Sequence, residues 1–197
     1  LPLAAYKSNS MAKVVLITGG SSGIGKSIGE YLTDKGFSVY GTSRYPENYS
    51  ESTFPLIKLD VTQHDSIQSC VSELISKTGR IDVLINNAST FYPTPIDDIT
   101  NDDWDSLMGT NLKAPMFLCK HAAQYLRQTK GSIINMVDIH ASKPLSNHPV
   151  YGSAKSGLVM LTRSLAKDLA PEVRVNGIAP GMILWPENEP PEEIKQK

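Results

Sequence analysis

The sequence predicts an α/β fold built on a single, doubly wound parallel sheet. Short runs of β-branched and aliphatic residues alternate with longer segments of helical periodicity, which is typical of βαβ units. A glycine-rich turn, residues 19–25, separates the first apolar run from the first helical segment. Right-handed crossovers then place helices on both faces of the sheet. The expected architecture is therefore Rossmann-like, with chemistry at the carboxyl ends of the strands.

Composition excludes several classes of protein. The 197 residues carry a formal net charge of −1, which argues against a nucleic-acid-binding surface. We find no apolar run near the length of a membrane helix, and no signal peptide, so we expect no membrane partner and a cytoplasmic location. Two cysteines, Cys70 and Cys119, are too few for a disulfide framework or a metal site, and we interpret both as buried apolar residues.

Six strands and four helices are expected in order along the chain. The strands are predicted at residues 13–18, 38–43, 56–60, 81–85, 132–137 and 173–178. The first helix is predicted at residues 24–35, ended by Gly36. A Ser/Thr-x-x-acid pattern at residues 62–65 indicates the start of the second, which runs to about Thr78. The same pattern at Thr100 begins a long helix through Leu126, and the last is predicted at residues 150–169.

The glycine-rich turn has the order strand, turn, helix that a phosphate-binding site requires. Gly19 allows a tight exit from the strand, Gly23 leaves room for a pyrophosphate, and Gly25 permits close packing of the helix. The free N–H groups at the start of the helix attract phosphate. The turn therefore predicts dinucleotide binding through Gly19, Ser21, Ser22, Gly23, Ile24 and Gly25.

The end of the second strand favours NADP over NAD. An acid at this point would bind the 2′-hydroxyl of NAD, and the sequence has none. Instead Arg44 can pair with a 2′-phosphate while Thr42 or Ser43 donates hydrogen bonds. Lys26 and Lys58 are interpreted as surface charges.

Tyr151 and Lys155 lie four residues apart and share one face of a predicted helix. A lysine ammonium close to a phenol favours the phenolate, so we expect the pKa of Tyr151 to lie below its usual value near 10. Such a tyrosine exchanges protons at neutral pH. The pair alone is common by chance, but it opens the helix after the fifth strand, where the site is expected.

Together these motifs resemble the short-chain dehydrogenase/reductase family. The match runs from about Lys13 to Gly181 and includes Thr18-Gly19-x-x-x-Gly23-x-Gly25, Asp60, Asn86-Asn87-Ala88, Asn111, Tyr151-x-x-x-Lys155 and Pro180-Gly181. The resemblance implies that Asp60 receives the adenine amino group beside Val61, and that Asn87 and Ala88 lie against the cofactor. It also implies that Pro180 and Gly181 lie along the nicotinamide.

The resemblance also implies catalytic roles. Asn111 would hold a water that links the lysine to solvent, Tyr151 would be the proton donor, and Lys155 would bind the nicotinamide ribose and tune Tyr151. One position departs from the family pattern: Asp138 stands where a serine is usual, thirteen residues before the tyrosine. An ionised aspartate accepts hydrogen bonds from substrate N–H groups, and a protonated one can pass its proton to a ring nitrogen. Its negative charge beside Tyr151 would oppose formation of the phenolate.

Among members of the family, the pteridine reductases share this aspartate. The segment from Asn87 to Pro95 resembles their loop after the fourth strand, where a phenylalanine stacks on the pterin ring and a serine contacts it. Ser89, Phe91, Asp138 and Tyr151 are therefore the predicted substrate residues. We expect NADPH-dependent reduction of a C=N bond in a pterin or folate.

Several features leave alternatives open. Gly23 stands where pteridine reductases often have an arginine, and Trp185 replaces a usual threonine; it would border the ring pocket or anchor the loop. His140 and His148 are interpreted as loop histidines, not proton carriers. The alternatives are a carbonyl reductase acting on a ketone or 3-oxoacyl thioester, and a truncated, non-catalytic NADP-binding fragment.

The resemblance also sets expectations for organisation. Residues 1–10, which precede Met11, are expected to be a disordered extension. Residues 11–197 would form one NADP-binding, Rossmann-like domain with its active site. Since the sixth strand is followed by a Pro- and Glu-rich stretch, we expect a truncated sheet that lacks the substrate loop and last strand of the family. A homo-oligomer, a tetramer in the full-length protein, would form through the helices after strands four and five.

Overall fold

The computed structural model describes residues 12–181. The predictions for residues 1–10, for Trp185 and for the C-terminal stretch lie outside these residues. The strands are β1 (Val14–Ile17), β2 (Ser38–Ser43), β3 (Leu56–Lys58), β4 (Val83–Asn86), β5 (Ser132–Met136) and β6 (Arg174–Ile178). The α-helices are α1 (Gly23–Asp34), α2 (His64–Thr78), α3 (Asn101–Met108), α4 (Ala114–Thr129) and α5 (Pro149–Asp168).

The six strands form one parallel sheet in the order β3-β2-β1-β4-β5-β6. This order confirms the doubly wound, Rossmann-like fold. The order reverses direction between β1 and β4, and Leu16 of β1 pairs with Tyr40 on one side and Leu84 on the other. Because all strands are parallel, the segments that follow them meet at one edge of the sheet, where ligands bind in such folds.

The core lies on both faces of the sheet. Val14 and Leu16 pack against α2, α4 and the end of α5, whereas Val15 and Ile17 pack against α1. This alternation is what a strand buried on both faces requires. Cys70 and Cys119 belong to the first of these clusters and are 1% exposed, as the sequence predicted. Among the described helices, none has the length and apolar character that crossing a bilayer demands.

The start of α2 differs from its prediction. The helix begins at His64 after Gln63, whose side chain makes no capping hydrogen bond, and β3 ends two residues before Asp60. The hydroxyl and the N–H of Thr62 both donate to Asp60 Oδ1, at 2.7 and 3.0 Å. Thr62 therefore stabilises the turn after β3 instead of capping the helix.

The long helix that begins at Thr100 is interrupted. Its capping box is present as predicted, since Thr100 and Asp103 bond each other's backbone N–H groups. A π-helical turn, Gly109–Lys113, then separates α3 from α4, which continues to Thr129. Pro115 has no N–H to donate to the carbonyl four residues earlier, so a regular α-helical ladder is broken at this point.

A phenyl ring fixes the segment that enters β3. Phe54 is 4% exposed, and a Cβ added at Gly41 would lie 2.6 Å from its Cε2 atom. A Cβ added at Gly29 of α1 would collide with the other edge of the ring. The ring thus occupies the space that side chains on α1 and β2 would fill.

Candidate active site

The turn after β1 has the backbone that its glycines allow. Gly19 and Gly23 have φ angles of 65° and 53°, which residues with side chains rarely adopt. A Cβ at Gly23 would meet nothing within 4 Å, so the turn is open to solvent there. A Cβ at Gly25 would collide with the Gly19 carbonyl and lie 2.5 Å from Asn87 Nδ2. The third glycine therefore lets the helix start close beneath the turn.

Thr18 joins this turn to the end of β4, a role the sequence analysis missed. Its buried hydroxyl oxygen accepts the N–H groups of Asn87 and Ala88, both at 2.9 Å. In return, the Asn87 amide donates to the carbonyls of Thr18 and Gly19, at 2.9 and 3.2 Å. The sequence feature that could have indicated this role is a threonine directly after an apolar strand.

A cleft of about 640 Å³ runs from the turn across the carboxyl ends of the strands. The predicted cofactor residues that line it are Gly19, Ser21, Ser22, Ile24, Ser43, Arg44, Asp60, Val61, Asn87 and Ala88. Tyr45 and Tyr49, which the sequence analysis did not single out, also line it. Most of the predicted cofactor residues are therefore brought together along one groove.

At the end of β2, the three residues predicted to contact a 2′-phosphate differ in burial and in hydrogen bonding. Thr42 is 1% exposed, and its hydroxyl oxygen accepts the Gly19 N–H at 3.2 Å, so it stabilises the turn. The Ser43 hydroxyl oxygen accepts the N–H of Tyr45 at 3.2 Å. Arg44 is exposed and lines the cleft. Thr42 also lines the cleft, so donation from its hydroxyl, or from that of Ser43, to a phosphate stays a prediction.

Tyr151 and Asp138 are in direct contact. The tyrosine hydroxyl, on the first turn of α5, donates to Asp138 Oδ2 at 2.7 Å. The other carboxylate oxygen accepts the N–H of His140 at 2.8 Å, because Asp138 caps the short 3-10 turn Ile139–Ala141 after β5. Both oxygens therefore accept hydrogen bonds, as an ionised carboxylate does.

Lys155 is buried beside this pair. It is 3% exposed, and its Nζ atom donates to the Met136 carbonyl at 3.0 Å and lies 5.6 Å from the centre of the Tyr151 ring. Burial lowers the pKa of Lys155 to about 8, against an opposing effect of the Asp138 charge. The ammonium thus remains mostly charged at neutral pH.

The expected lowering of the Tyr151 pKa is wrong for this structure. Burial raises the pKa of Tyr151 first, and the hydrogen bond to Asp138 and its negative charge raise it further. A smaller opposing effect comes from the Ser89 hydroxyl. The Lys155 ammonium donates to the Met136 carbonyl and not to the phenol oxygen. Tyr151 is therefore a protonated phenol at neutral pH.

Asn111 lies in the π-helical turn and holds the loop after β4. Its side-chain oxygen accepts the Ser89 hydroxyl at 2.7 Å, and its amide donates to the carbonyls of Thr90 and Leu107, both at 2.9 Å. The side chain is therefore engaged with the loop and the helix. The role in holding a water stays a prediction.

Phe91 lies at the mouth of the site. Its ring centre is 4.8 Å from that of Tyr151, edge to face, and 4.7 Å from that of His148, with the two ring planes 12° apart. Phe91 nevertheless remains 56% exposed. The predicted substrate residues Ser89, Phe91, Asp138 and Tyr151 thus lie in one region.

Pro180 and Gly181 lie beside the same region. The Pro180 carbonyl accepts the N–H of Ile139 at 3.3 Å, and a Cβ at Gly181 would lie 3.8 Å from Ile139 Cδ1. Since Ile139 follows Asp138, the segment after β6 borders the turn that carries Asp138.

Comparison with known proteins agrees with this arrangement. A family model for short chain dehydrogenase matches residues 13–193. The chain belongs to the short-chain dehydrogenase/reductase family. Members of this family use NAD(P)H. The aldohexose dehydrogenase of Thermoplasma acidophilum, solved in ligand-free form, superposes with a TM-score of 0.83 at 31% identity, over 86% of this chain and 66% of its own.

For two other relatives, the matched region is a larger share of the relative's own length. An uncharacterised oxidoreductase of Staphylococcus epidermidis is 31% identical over 185 residues, which are 90% of this chain and 80% of the relative. A 3-oxoacyl-(acyl-carrier-protein) reductase of Chlamydia pneumoniae is 32% identical over 184 residues, 88% of this chain and 74% of the relative. None of these three proteins is described as a pteridine reductase.

Proposed function

We propose that this member of the short-chain dehydrogenase family is an NADPH-dependent reductase. Its substrate would be a flat nitrogen heterocycle such as a pterin or folate. The contact that carries the proposal is the 2.7 Å hydrogen bond from the Tyr151 hydroxyl to Asp138, with Phe91 beside it. This pair offers a proton and a negative charge to the same substrate, beneath an aromatic ring on which a planar molecule can stack.

The cleft supports binding of a dinucleotide. Its volume of about 640 Å³ falls within the range of roughly 300–1,000 Å³ typical of ligand sites. The first turn of α1 faces it, and Ser22 makes no side-chain cap, so the N–H groups there are available for phosphate. Asp60 and Val61 would hold the adenine end, and Lys155, Pro180 and Gly181 the nicotinamide end. The bound cofactor would supply the hydride.

Arg44 supports a preference for NADP(H). Its guanidinium is the exposed cation at the end of β2, where an acid would favour NAD. Arg44→Ala should weaken NADP⁺ binding by about tenfold or more while leaving NAD⁺ binding nearly unchanged. Lys58→Ala, an exposed cation on the neighbouring strand, is the matched control. Equal losses for both dinucleotides in the arginine variant would contradict the proposed role.

The proton is supplied by Tyr151. Since its pKa is raised, the phenol is protonated at neutral pH and suits reduction, which consumes a proton, better than oxidation, which needs the phenolate. Asp138 accepts the hydroxyl before the reaction. On substrate binding, the hydroxyl would turn to a ring nitrogen of the C=N bond, and the freed Oδ2 would accept a substrate N–H. Ser89 would contact the same ring.

Substrate turnover separates the candidate functions. Purified protein should oxidise NADPH, seen as loss of absorbance at 340 nm, with biopterin, dihydrobiopterin or folate. Asp138→Ser should harm reduction of these substrates more than reduction of a ketone, because only the former need an acceptor for N–H. Ketone turnover without pterin turnover would refute the pterin proposal. NADPH binding without either activity would favour a non-catalytic dinucleotide-binding chain.

The second candidate is a carbonyl reductase acting on a ketone or 3-oxoacyl thioester. Its support comes from the relatives, which include a 3-oxoacyl-(acyl-carrier-protein) reductase and an aldohexose dehydrogenase, and which favour this candidate over a pterin. Tyr151 and Lys155 would serve either substrate. In this case Asp138→Ser should leave ketone reduction intact or raise it, since serine can donate to a carbonyl oxygen.

We also propose that the chain forms a homo-oligomer through α4 and α5. Both helices carry exposed apolar side chains, Met116 on α4 and Met160 on α5, which are 40% and 59% exposed. Light scattering should report a dimer or tetramer, and Met160→Glu should shift it toward the monomer. A monomer at all concentrations would refute this proposal.

A further inference from the structure

We propose that His148 is a positioning residue that holds Phe91 as a flat platform and thereby selects planar over saturated substrates. The contact is the parallel stacking of the two rings, with centres 4.7 Å apart and planes 12° apart. This inference goes beyond the function proposed above, because it holds whether the reduced bond is C=N or C=O.

The imidazole is itself fixed. Its Nδ1 atom lies 2.7 Å from the Ser146 carbonyl, and since a carbonyl can only accept, Nδ1 carries the hydrogen. His148 is also the residue before the first turn of α5, on which Tyr151 lies. The ring that stacks on Phe91 is thus tied to the helix that carries the proton donor.

The backbones of the two loops are joined as well. The Thr94 N–H donates to the Asn147 carbonyl at 2.6 Å, so the loop that carries Phe91 is bonded to the residue before His148. Asn147 has a φ of 58°, a conformation that asparagine tolerates better than most residues. The stacking therefore joins two loops that are already held in register.

Much of the Phe91 ring remains open to a ligand. Although His148 stacks on it and the Tyr151 ring lies nearly perpendicular to it, the Phe91 side chain is still 56% exposed. An exposed phenylalanine on a loop would otherwise lose side-chain freedom when a substrate stacks on it. Because His148 orders the ring beforehand, a planar substrate binds more tightly, whereas a puckered substrate gains little from the platform.

The test compares two methyl ketones of similar size, acetophenone with a flat aromatic ring and methyl cyclohexyl ketone with a puckered saturated ring, and adds a binding measurement with biopterin. Each ketone is compared between variants, so that the difference in intrinsic reactivity between the two ketones cancels. His148→Ala should raise KM for acetophenone and the Kd of biopterin in the NADP⁺ complex by about three- to tenfold. KM for the cyclohexyl ketone, kcat and NADPH affinity should stay within about twofold. His148→Phe keeps the stacking and should restore the wild-type values.

Other outcomes would overturn the inference. These are equal changes for the flat and saturated ketones, failure of His148→Phe to rescue, or absence of binding of every flat probe to the wild-type protein. In the free protein, Phe91→Ala should also shift the NMR signals of the His148 ring protons, because the stacked ring current is lost; unchanged signals would contradict the contact. Binding of flat ketones without reduction of pterins would refute the pterin proposal and leave this inference standing.

Discussion

The buried ammonium of Lys155 leads to a specific prediction about how stability changes with pH. Its pKa is about 8 in the folded protein and 10.5 in its ordinary state. Between these values this side chain binds up to one more proton in the unfolded chain than in the folded chain, so its contribution to the free energy of unfolding rises as pH rises. The penalty for burying the charge is present at neutral pH and disappears as the folded-state ammonium loses its proton.

The magnitude follows from the shift. One pKa unit corresponds to about 1.4 kcal/mol, and the two titration curves together give a rise of about 2 kcal/mol between about pH 8 and pH 10. Three other groups act in the opposite direction. Burial raises the pKa of the Cys70 and Cys119 thiols from 9.0 to about 12, so their contribution falls above about pH 9, and that of Tyr151 falls above its ordinary value near 10. The contribution of Lys155 is therefore read from the difference between the wild-type protein and a variant that keeps these groups. Measurements should stop at about pH 10.

The variant Lys155→Met isolates this contribution. Methionine keeps an unbranched side chain, shorter by the terminal nitrogen, and removes the charge and the hydrogen bond to the Met136 carbonyl. Loss of that bond lowers stability by about 1 kcal/mol at every pH. Urea unfolding followed by circular dichroism should show the wild-type protein gaining about 2 kcal/mol more than the variant across the window.

A matched control removes a lysine elsewhere. Lys26→Met deletes an exposed cation whose partner, Glu30, lies 3.8 Å away, and should reproduce the wild-type dependence on pH. Parallel curves for the wild-type protein and Lys155→Met would refute the reasoning, because they would mean that the buried lysine does not change its proton affinity on folding.

Three further predictions concern the architecture of the site. Gly25→Ala should lower the free energy of unfolding by about 1–3 kcal/mol in thermal denaturation and weaken NADP⁺ binding. The control is Gly109→Ala, where a Cβ would meet nothing within 4 Å; in the same thermal denaturation it should be neutral or stabilising. Thr18→Val should lower the free energy of urea unfolding by about 2–4 kcal/mol, because two backbone N–H groups lose their acceptor; a loss under about 0.5 kcal/mol would contradict this. Asn111→Ala should speed amide hydrogen exchange at Ser89 and Thr90 at least about tenfold, with β1 as an unchanged reference; equal exchange in that loop would show that Asn111 does not hold it.

Much of the fold could be predicted because its signals are local. Strand β2 was predicted with its observed bounds, and the other strands within two residues at each end, since β-branched runs and their flanking glycines mark parallel strands. The turn of Gly19, Gly23 and Gly25 was equally readable, because two positive φ angles and one close approach each require glycine.

The parts that could not be predicted depend on contacts between distant segments. The direction of the Tyr151 pKa shift is set by burial and by Asp138. From the sequence, Lys155 and Asp138 are expected to act on the phenol in opposite directions, and their spacing does not show which effect is larger. Whether that lysine faces the phenol or the Met136 carbonyl is a matter of side-chain packing. Likewise, Thr42 lies at a strand end that suits a phosphate contact, yet its hydroxyl is used by Gly19, a neighbour 23 residues away in sequence.

The ring of Phe54 makes three distant positions interdependent. Alanine at Gly29 or at Gly41 would have no space unless the Phe54 ring moved or was replaced by a smaller side chain. Conversely, a smaller residue at position 54 would leave a cavity that either alanine would partly fill. Mutations at these sites should therefore be non-additive, with a double variant less damaged than the sum of its singles. Because Gly41 directly precedes Thr42 and Ser43, the side chains that β2 can carry next to the cleft are limited by one phenyl group on the far side of the strand.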